Sequence, residues 1–168
     1  GISGDAFAAT CIIVDKMDKL PAEVVEQQLS EQGLDSDAIA AIQSTLGLSD
    51  LDSLASALGE GSEAVAELAT LFDLVDAYEI SDWVEFDASV VRGLAYYTGP
   101  VFEAHDRAGT LRAICGGGRY DRLLSSLGGN DMPATGFGFG DMVIMELLNE
   151  KGLVPDLPSG NQDIVIAI

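Results

Sequence analysis

Three features of the sequence predict an α+β fold. Apolar residues recur at helical spacing from the start to about residue 80, the period changes to alternation after Ser81, and eleven of the 19 glycines fall between Gly93 and Gly140. Helices gathered in one half and short strands in the other do not make alternating β/α units, so a parallel sheet is not expected. The 168 residues allow one domain or one and a fraction, and a hydrophobic content of 48% supplies enough apolar surface to bury a core.

The first helix is expected over residues 5–19, with Phe7, Cys11, Val14 and Met17 near one face and Pro21 barring its continuation. Short amphipathic helices follow to about residue 80, punctuated by Gly33, Gly47 and Gly59 as left-handed C-terminal caps. Leu48, Leu51, Leu54 and Leu58 form one apolar stripe and Val65, Leu68, Phe72 and Val75 another. Strands are expected at Trp83–Asp87, Pro100–Ala104 and Thr110–Ile114, with Arg107-Ala108-Gly109 turning between the latter two. A helix from Asp121 to Leu127, a strand over Thr135–Phe139 and a helix from Asp141 to Lys151 complete this half. Pro155, Pro158, Ser159 and Gly160 read as a linker before an apolar strand ending at Ile168. An unpaired apolar strand is a sticky edge, and the chain starts Gly1-Ile2-Ser3 without methionine, so the expectation is a piece of a longer protein.

Charge narrows the function. The chain carries 28 acidic and 8 basic residues, a net charge of −20, and no lysine or arginine occurs from residue 20 to 91 while sixteen carboxylates do. That block is no phosphate-binding surface, because nucleic-acid affinity comes mainly from Lys and Arg displacing counterions. It reads as a folded helical unit with an acidic solvated exterior. Two cysteines, Cys11 and Cys115, without Cys/His spacing give neither a disulfide framework nor a structural zinc site. No apolar run approaches the roughly 20 residues of a membrane span, and no signal-peptide pattern opens the chain.

Five of the eight basic residues, Arg92, Arg107, Arg112, Arg119 and Arg122, share the glycine-rich window, and chemistry is expected there. Three segments stand out: Arg92-Gly93-Leu94-Ala95-Tyr96-Tyr97-Thr98-Gly99, Cys115-Gly116-Gly117-Gly118-Arg119-Tyr120-Asp121 and Gly136-Phe137-Gly138-Phe139-Gly140-Asp141. Gly136, Gly138 and Gly140 are spaced by two, so on a strand they share a bare face, suited either to a planar ring or to close packing of another backbone. The third segment is not a dinucleotide fingerprint, because Asp141 stands where a glycine would be needed. Arg92 offers a rigid, permanently charged donor fork for a phosphate on which charge develops. Tyr96 and Tyr97 point to opposite sides if extended, and with Tyr120 they supply hydroxyls for a small heteroaromatic ligand or simply pack at the core edge. His105, the only histidine, reads as a solvent-facing strand residue, with no Ser, Cys or paired-carboxylate motif around it.

The first segment, with Phe102 and Glu103 after it, resembles the histidine-A motif of histidyl-tRNA synthetases, RGLDYYTG followed by VFE. The second resembles the family's histidine-B motif, GGRYD, and the third occupies the place of class II motif 3. The resemblance implies a class II antiparallel-sheet catalytic core with a small all-helical insertion, ending at the first strand of an α/β anticodon-binding domain. Its divisions would be residues 1–19 (core), 20–80 (insertion), 81–154 (core with the three motifs) and 155–168 (linker and start of the anticodon-binding domain). The implied reaction is attack of the histidine carboxylate on the α-phosphate of ATP, then transfer of the aminoacyl group to the 3′ end of the histidine tRNA. By motif position, Arg92 would be catalytic and would also contact the substrate carboxylate. Tyr96, Tyr97, Tyr120, Gly117 and Gly118 would line the histidine pocket, and Gly136, Gly138 and Gly140 would floor the adenine site. Mg2+ would come with ATP, bound through phosphate oxygens, and no protein metal site is implied. A homodimer, without membrane attachment, in the cytoplasm or an organelle, is the implied assembly and location.

Two positions depart from the family pattern: Ala95 replaces an Asp, and Val143 replaces the motif 3 arginine, with no basic residue from 136 to 150. RGLAYYTG and GFGFGD resemble the organellar-like and bacterial branch, which implies a subfamily. The alternatives are an inactive synthetase-like paralogue acting as a regulatory or histidine-sensing subunit, and an interaction module built on the acidic helices.

Overall fold

The computed structural model describes residues 2, 4–59, 61–94, 96–108 and 111–156. The Ala95 substitution, the end of the 107–109 turn, and the linker and terminal strand from 157 onward lie outside these residues.

Helix α1 spans Asp5–Val14 and is shorter than its periodicity suggested. The Lys16 N–H reaches back three residues to Ile13, which tightens the chain, and a separate 3-10 turn follows at Met17–Lys19. Its buried face is also rotated from the expected stripe. Thr10, Ile13 and Val14 are buried while Phe7 is 56% exposed, and the Thr10 hydroxyl is satisfied by donating to the Ala6 carbonyl at 2.8 Å. Pro21 sits at the N-cap of α2 (Ala22–Glu31), where its missing N–H costs nothing.

Helices α3 (Ser36–Leu46) and α4 (Leu51–Leu58) each start on an aspartate cap. Asp35 accepts from the Ala38 N–H at 2.8 Å, and Asp50 from the Ser53 N–H at 2.7 Å. Gly33 and Gly59 have positive φ, 88° and 90°, which favours glycine, although Gly59, with ψ of 148°, is extended and not a left-handed helical cap; Gly47, at φ −83°, is not left-handed either. The acidic block is thus helical as read, and its interior is small. Ile13 of α1, Val25 and Leu29 of α2 and Ile39 of α3 form one buried cluster, flanked by Met17, Leu20 and Leu34. Helix α5 (Glu63–Ala77) packs on α4 with Val75 buried and Val65, Leu68 and Phe72 half-buried, the stripe expected of it.

The segment Trp83–Asp87 is not a strand. Ser81–Trp83 forms a 3-10 turn and residues 84–87 run on with no ladder partner among the described residues, so alternation alone misled. Strands β1 (Val101–Ala104), β2 (Cys115–Arg119) and β3 (Thr135–Phe139) make an antiparallel sheet in the order β1-β2-β3. The partner of β1 is therefore the glycine run, not Thr110–Ile114, and the connection between them is longer than a tight hairpin. Three consecutive glycines make a poor strand by propensity, and they form one here because both neighbouring strands and the side chains above crowd them. A single turn α6 (Leu123–Ser126) stands where a longer helix was expected, and α7 (Asp141–Glu150) follows β3 directly. No helix among the described residues is long and apolar enough to cross a membrane.

Candidate active site on the glycine face of the sheet

Register decides which side chains meet. Val101 pairs with Gly118 and Glu103 with Gly116; Gly118 in turn pairs with Gly136 and Gly116 with Gly138. Residues directly opposite in an antiparallel ladder share a face, so four glycines, Val101 and Glu103 occupy one side of the sheet. The other side carries Phe102, Cys115, Gly117, Phe137 and Phe139. Gly117 accordingly stands away from Gly116 and Gly118 and does not line the site that its neighbours form.

The glycine face is covered by functional groups in a defined order. The Arg92 guanidinium lies where a Cβ on Gly116 would be. The Tyr97 ring lies 2.9 Å from the corresponding point on Gly118, and the Tyr120 hydroxyl occupies that of Gly136. Among the described residues nothing lies within 4 Å of that point on Gly138, which leaves open surface beside Arg92. Gly140 departs from the expected floor. Strand β3 ends at Phe139, and Gly140 is the N-cap of α7, its N–H donating to the Ile114 carbonyl at 2.8 Å. The bare surface is thus Gly138 alone, since Tyr120 roofs Gly136.

The tyrosines form one cluster. Ring centroids lie 4.6 Å apart for Tyr96–Tyr97, 5.6 Å for Tyr96–Tyr120 and 6.2 Å for Tyr97–Tyr120. The expectation that Tyr96 and Tyr97 diverge fails because Tyr96 sits in a turn, not in extended chain. Hydrogen bonding with Tyr97, then desolvation, pushes the Tyr96 phenol above its ordinary value, while the nearby Arg92 charge pulls the other way. The phenols and the guanidinium therefore belong to one site.

Arg92 donates through Nη1 to Glu103 Oε1 in a charge-assisted contact, both side chains being about one-quarter exposed. Its Nε is buried and has no partner among the described residues. A buried donor left without an acceptor is costly, and because Nε is enclosed a ligand oxygen would reach it only with a shift of the groups around it. His105 Nε2 lies 3.2 Å from the second Glu103 oxygen, Oε2; the lone histidine is solvent-exposed as expected, just past β1 at the site's edge.

A second network ties the motif segments together. Arg119 donates from Nε to both Asp121 oxygens at 3.0 and 2.9 Å and from Nη1 to Glu67 on α5 at 2.8 Å. The Asp121 N–H donates to Thr98 Oγ1 at 2.9 Å, and the Thr98 N–H to the Arg119 carbonyl at 2.9 Å. The Arg119 guanidinium holds the Asp121 carboxyl below the usual carboxylate range. Sequence reasoning missed Glu67 and quoted Thr98, Glu103 and Asp121 within the motif segments without giving them a role. For Glu103 there was a further signal, because alternation in Val101-Phe102-Glu103-Ala104 puts it on the face of Val101. At the other end, Asp15 beyond α1 comes within 3.2 Å of the point where Gly93 would carry a Cβ. Val143 is buried in α7 with its side chain against Gly140. No group of three or more His, Cys, Asp or Glu could hold a metal ion among the described residues.

The arrangement is a permanently charged donor fork with an unspent N–H, beside open backbone on one hand and a phenol cluster on the other. It suits an anion attached to one flat group and one small polar ring. The family model for histidyl-tRNA synthetase matches residues 12–141. The chain is 52% identical over 168 residues to the chloroplastic/mitochondrial histidine–tRNA ligase of Arabidopsis thaliana, covering 100% of this chain and 35% of that protein. It is 38% identical to the histidine–tRNA ligase of Opitutus terrae, covering 92% of this chain and 37% of that one. Among solved structures, histidyl-tRNA synthetase from Nostoc sp. PCC 7120 superposes with a TM-score of 0.75 at 28% identity, over 94% of this chain and 40% of that one. The chain thus spans little more than one-third of the length of these relatives, and with its two motif segments meeting on one sheet face it belongs to the histidyl-tRNA synthetase family.

Proposed function

We propose that a full-length protein carrying this chain is a histidine–tRNA ligase, and that the glycine face of the sheet is where it forms histidyl-adenylate. The observation that carries the reading is the placement of Arg92 over Gly116, with an unpartnered buried Nε, between the open Gly138 surface and the tyrosine cluster. The adenine would lie over Gly138, flanked by Gly136 and Gly140. The imidazole would meet the hydroxyls of Tyr96, Tyr97 and Tyr120, with Gly118 giving Tyr97 room. This places the two reacting groups on either side of one guanidinium.

In the first step a histidine carboxylate oxygen attacks the α-phosphorus of ATP. The bond to the bridging oxygen breaks and pyrophosphate leaves. Arg92 donates to the α-phosphate oxygens as their charge grows, which is where a preorganised donor lowers a barrier. In the second step the terminal tRNA hydroxyl attacks the histidyl carbonyl and AMP leaves. Mg2+ would be held by phosphate oxygens and would help neutralise their charge. Helix α7 carries no lysine or arginine, so it offers no cation to ATP, and Val143, where the family pattern has an arginine, is buried. We further assign residues 20–80 to a helical insertion and the flanking segments to the catalytic core, in a homodimer acting in the cytoplasm or an organelle.

The test is histidine-dependent ATP–pyrophosphate exchange. A full-length protein carrying this chain should exchange with histidine and with no other amino acid. The 168-residue chain alone should not, because most of the length of its relatives is missing from it. No exchange by the full-length protein would overturn the reading; exchange by the chain alone would overturn only the expectation that the rest of the relatives' length is needed.

A further inference from the structure

Arg92 is a long side chain with several rotatable bonds, and a guanidinium helps at a phosphate only if it is held where charge develops. Two features seat it. Gly116 supplies the space, since a Cβ there would collide with the guanidinium, and Glu103, the direct ladder partner of Gly116, supplies a carboxylate on the same face. The contact is through Nη1 alone, and the other carboxylate oxygen faces His105 at 3.2 Å. Glu103 therefore grips one corner of the fork and leaves Nε uncommitted.

We infer that Glu103 is a positioning residue: with Gly116 it forms a seat that fixes the Arg92 guanidinium over the sheet, where the α-phosphate would meet it. The inference rests on the adenylation reading above. Glu103 makes no substrate contact in this account, and its effect passes wholly through Arg92. Gly116 serves the same seat from the backbone side, so Gly116→Ala should displace the guanidinium without altering any charge.

The experiment uses the full-length protein, with histidine-dependent exchange measured per active site counted by the burst of adenylate formation. Glu103→Gln keeps the shape and an acceptor but loses the charge. It should lower kcat per site at least about tenfold, with KM for histidine and ATP within about threefold, since the seat matters when charge builds in the transition state. Glu103→Asp, with charge but a shorter reach, should fall between Glu103→Gln and wild type. In an Arg92→Ala background, Glu103→Gln should cost less than a further twofold, because residues acting through one contact are not additive. His105→Ala should leave kcat within about threefold.

A purely structural role for Glu103 would give fewer titratable sites with an unchanged kcat per site, and that result would overturn the inference. So would an unchanged or raised kcat in Glu103→Gln, or a full additional loss in the Arg92→Ala background. Absence of exchange in the wild-type protein would overturn the functional reading first, a result distinct from wild-type exchange that Glu103→Gln fails to diminish.

Discussion

Gly136 and Gly138 look equivalent in the sequence, and the sheet makes them opposites. A methyl group on Gly138 would enter open space, while one on Gly136 would strike the Tyr120 hydroxyl. Gly138→Ala should thus leave thermal stability unchanged and raise KM for ATP by about threefold or more, since a protruding methyl spoils a flat stacking surface. Gly136→Ala should instead raise KM for histidine by displacing Tyr120. Both are read from steady-state exchange kinetics, and the opposite assignment of the two KM effects would refute the placement. Titration of Asp121 is a second test at this scale. Arg119 depresses its folded pKa, so the stability it contributes is fully present above the unfolded value of about 4 and is lost as pH falls through the folded value. Arg119→Gln should therefore destabilise the protein at neutral pH, and the difference from wild type should shrink below about pH 4. Urea unfolding at several pH values checks the sign.

Secondary elements were legible in proportion to how local their causes are. Helices α2 to α5 follow from stripes, aspartate caps and glycines, all of which act within a few residues. The sheet was misread because pairing is not local. Trp83–Asp87 has the pattern of a strand and no partner among the described residues, while Gly116–Gly118 have poor strand propensity and pair on both sides. The same distinction applies to the site. Arg92 and the tyrosines could be named from motif and residue type, and alternation sets Glu103 on the face of Val101, but its place against Gly116 needed the register, and the Glu67–Arg119 contact spans 52 positions. Helix stability gives its own test. Leu29 is fully buried between α1, α2 and α3, so Leu29→Ala should cost about 2–5 kcal/mol in denaturant unfolding. Asp35→Ala, removing only the α3 cap, should cost about 1 kcal/mol.

Over the whole molecule, negative charge and chemistry are segregated. The residues from 20 to 91 carry no lysine or arginine and comprise helices α2 to α5 and the irregular chain after them, whereas five arginines fall between 92 and 122. Three contacts join the two regions: the Arg107 guanidinium donating to the Asp82 carbonyl at 2.7 Å, the same guanidinium over the Trp83 ring at 5.4 Å, and the Glu67–Arg119 ion pair. Exposed surface ion pairs contribute little stability, so the third contact serves more to orient α5 against the motif segments than to hold them together. The central claim is that the glycine face is an adenylation site organised around Arg92. Histidine-dependent ATP–pyrophosphate exchange by the full-length protein, compared with its Arg92→Ala variant, tests it most directly. The account predicts a loss on the order of a hundredfold or more with the fold intact, and a loss of less than about threefold would contradict it.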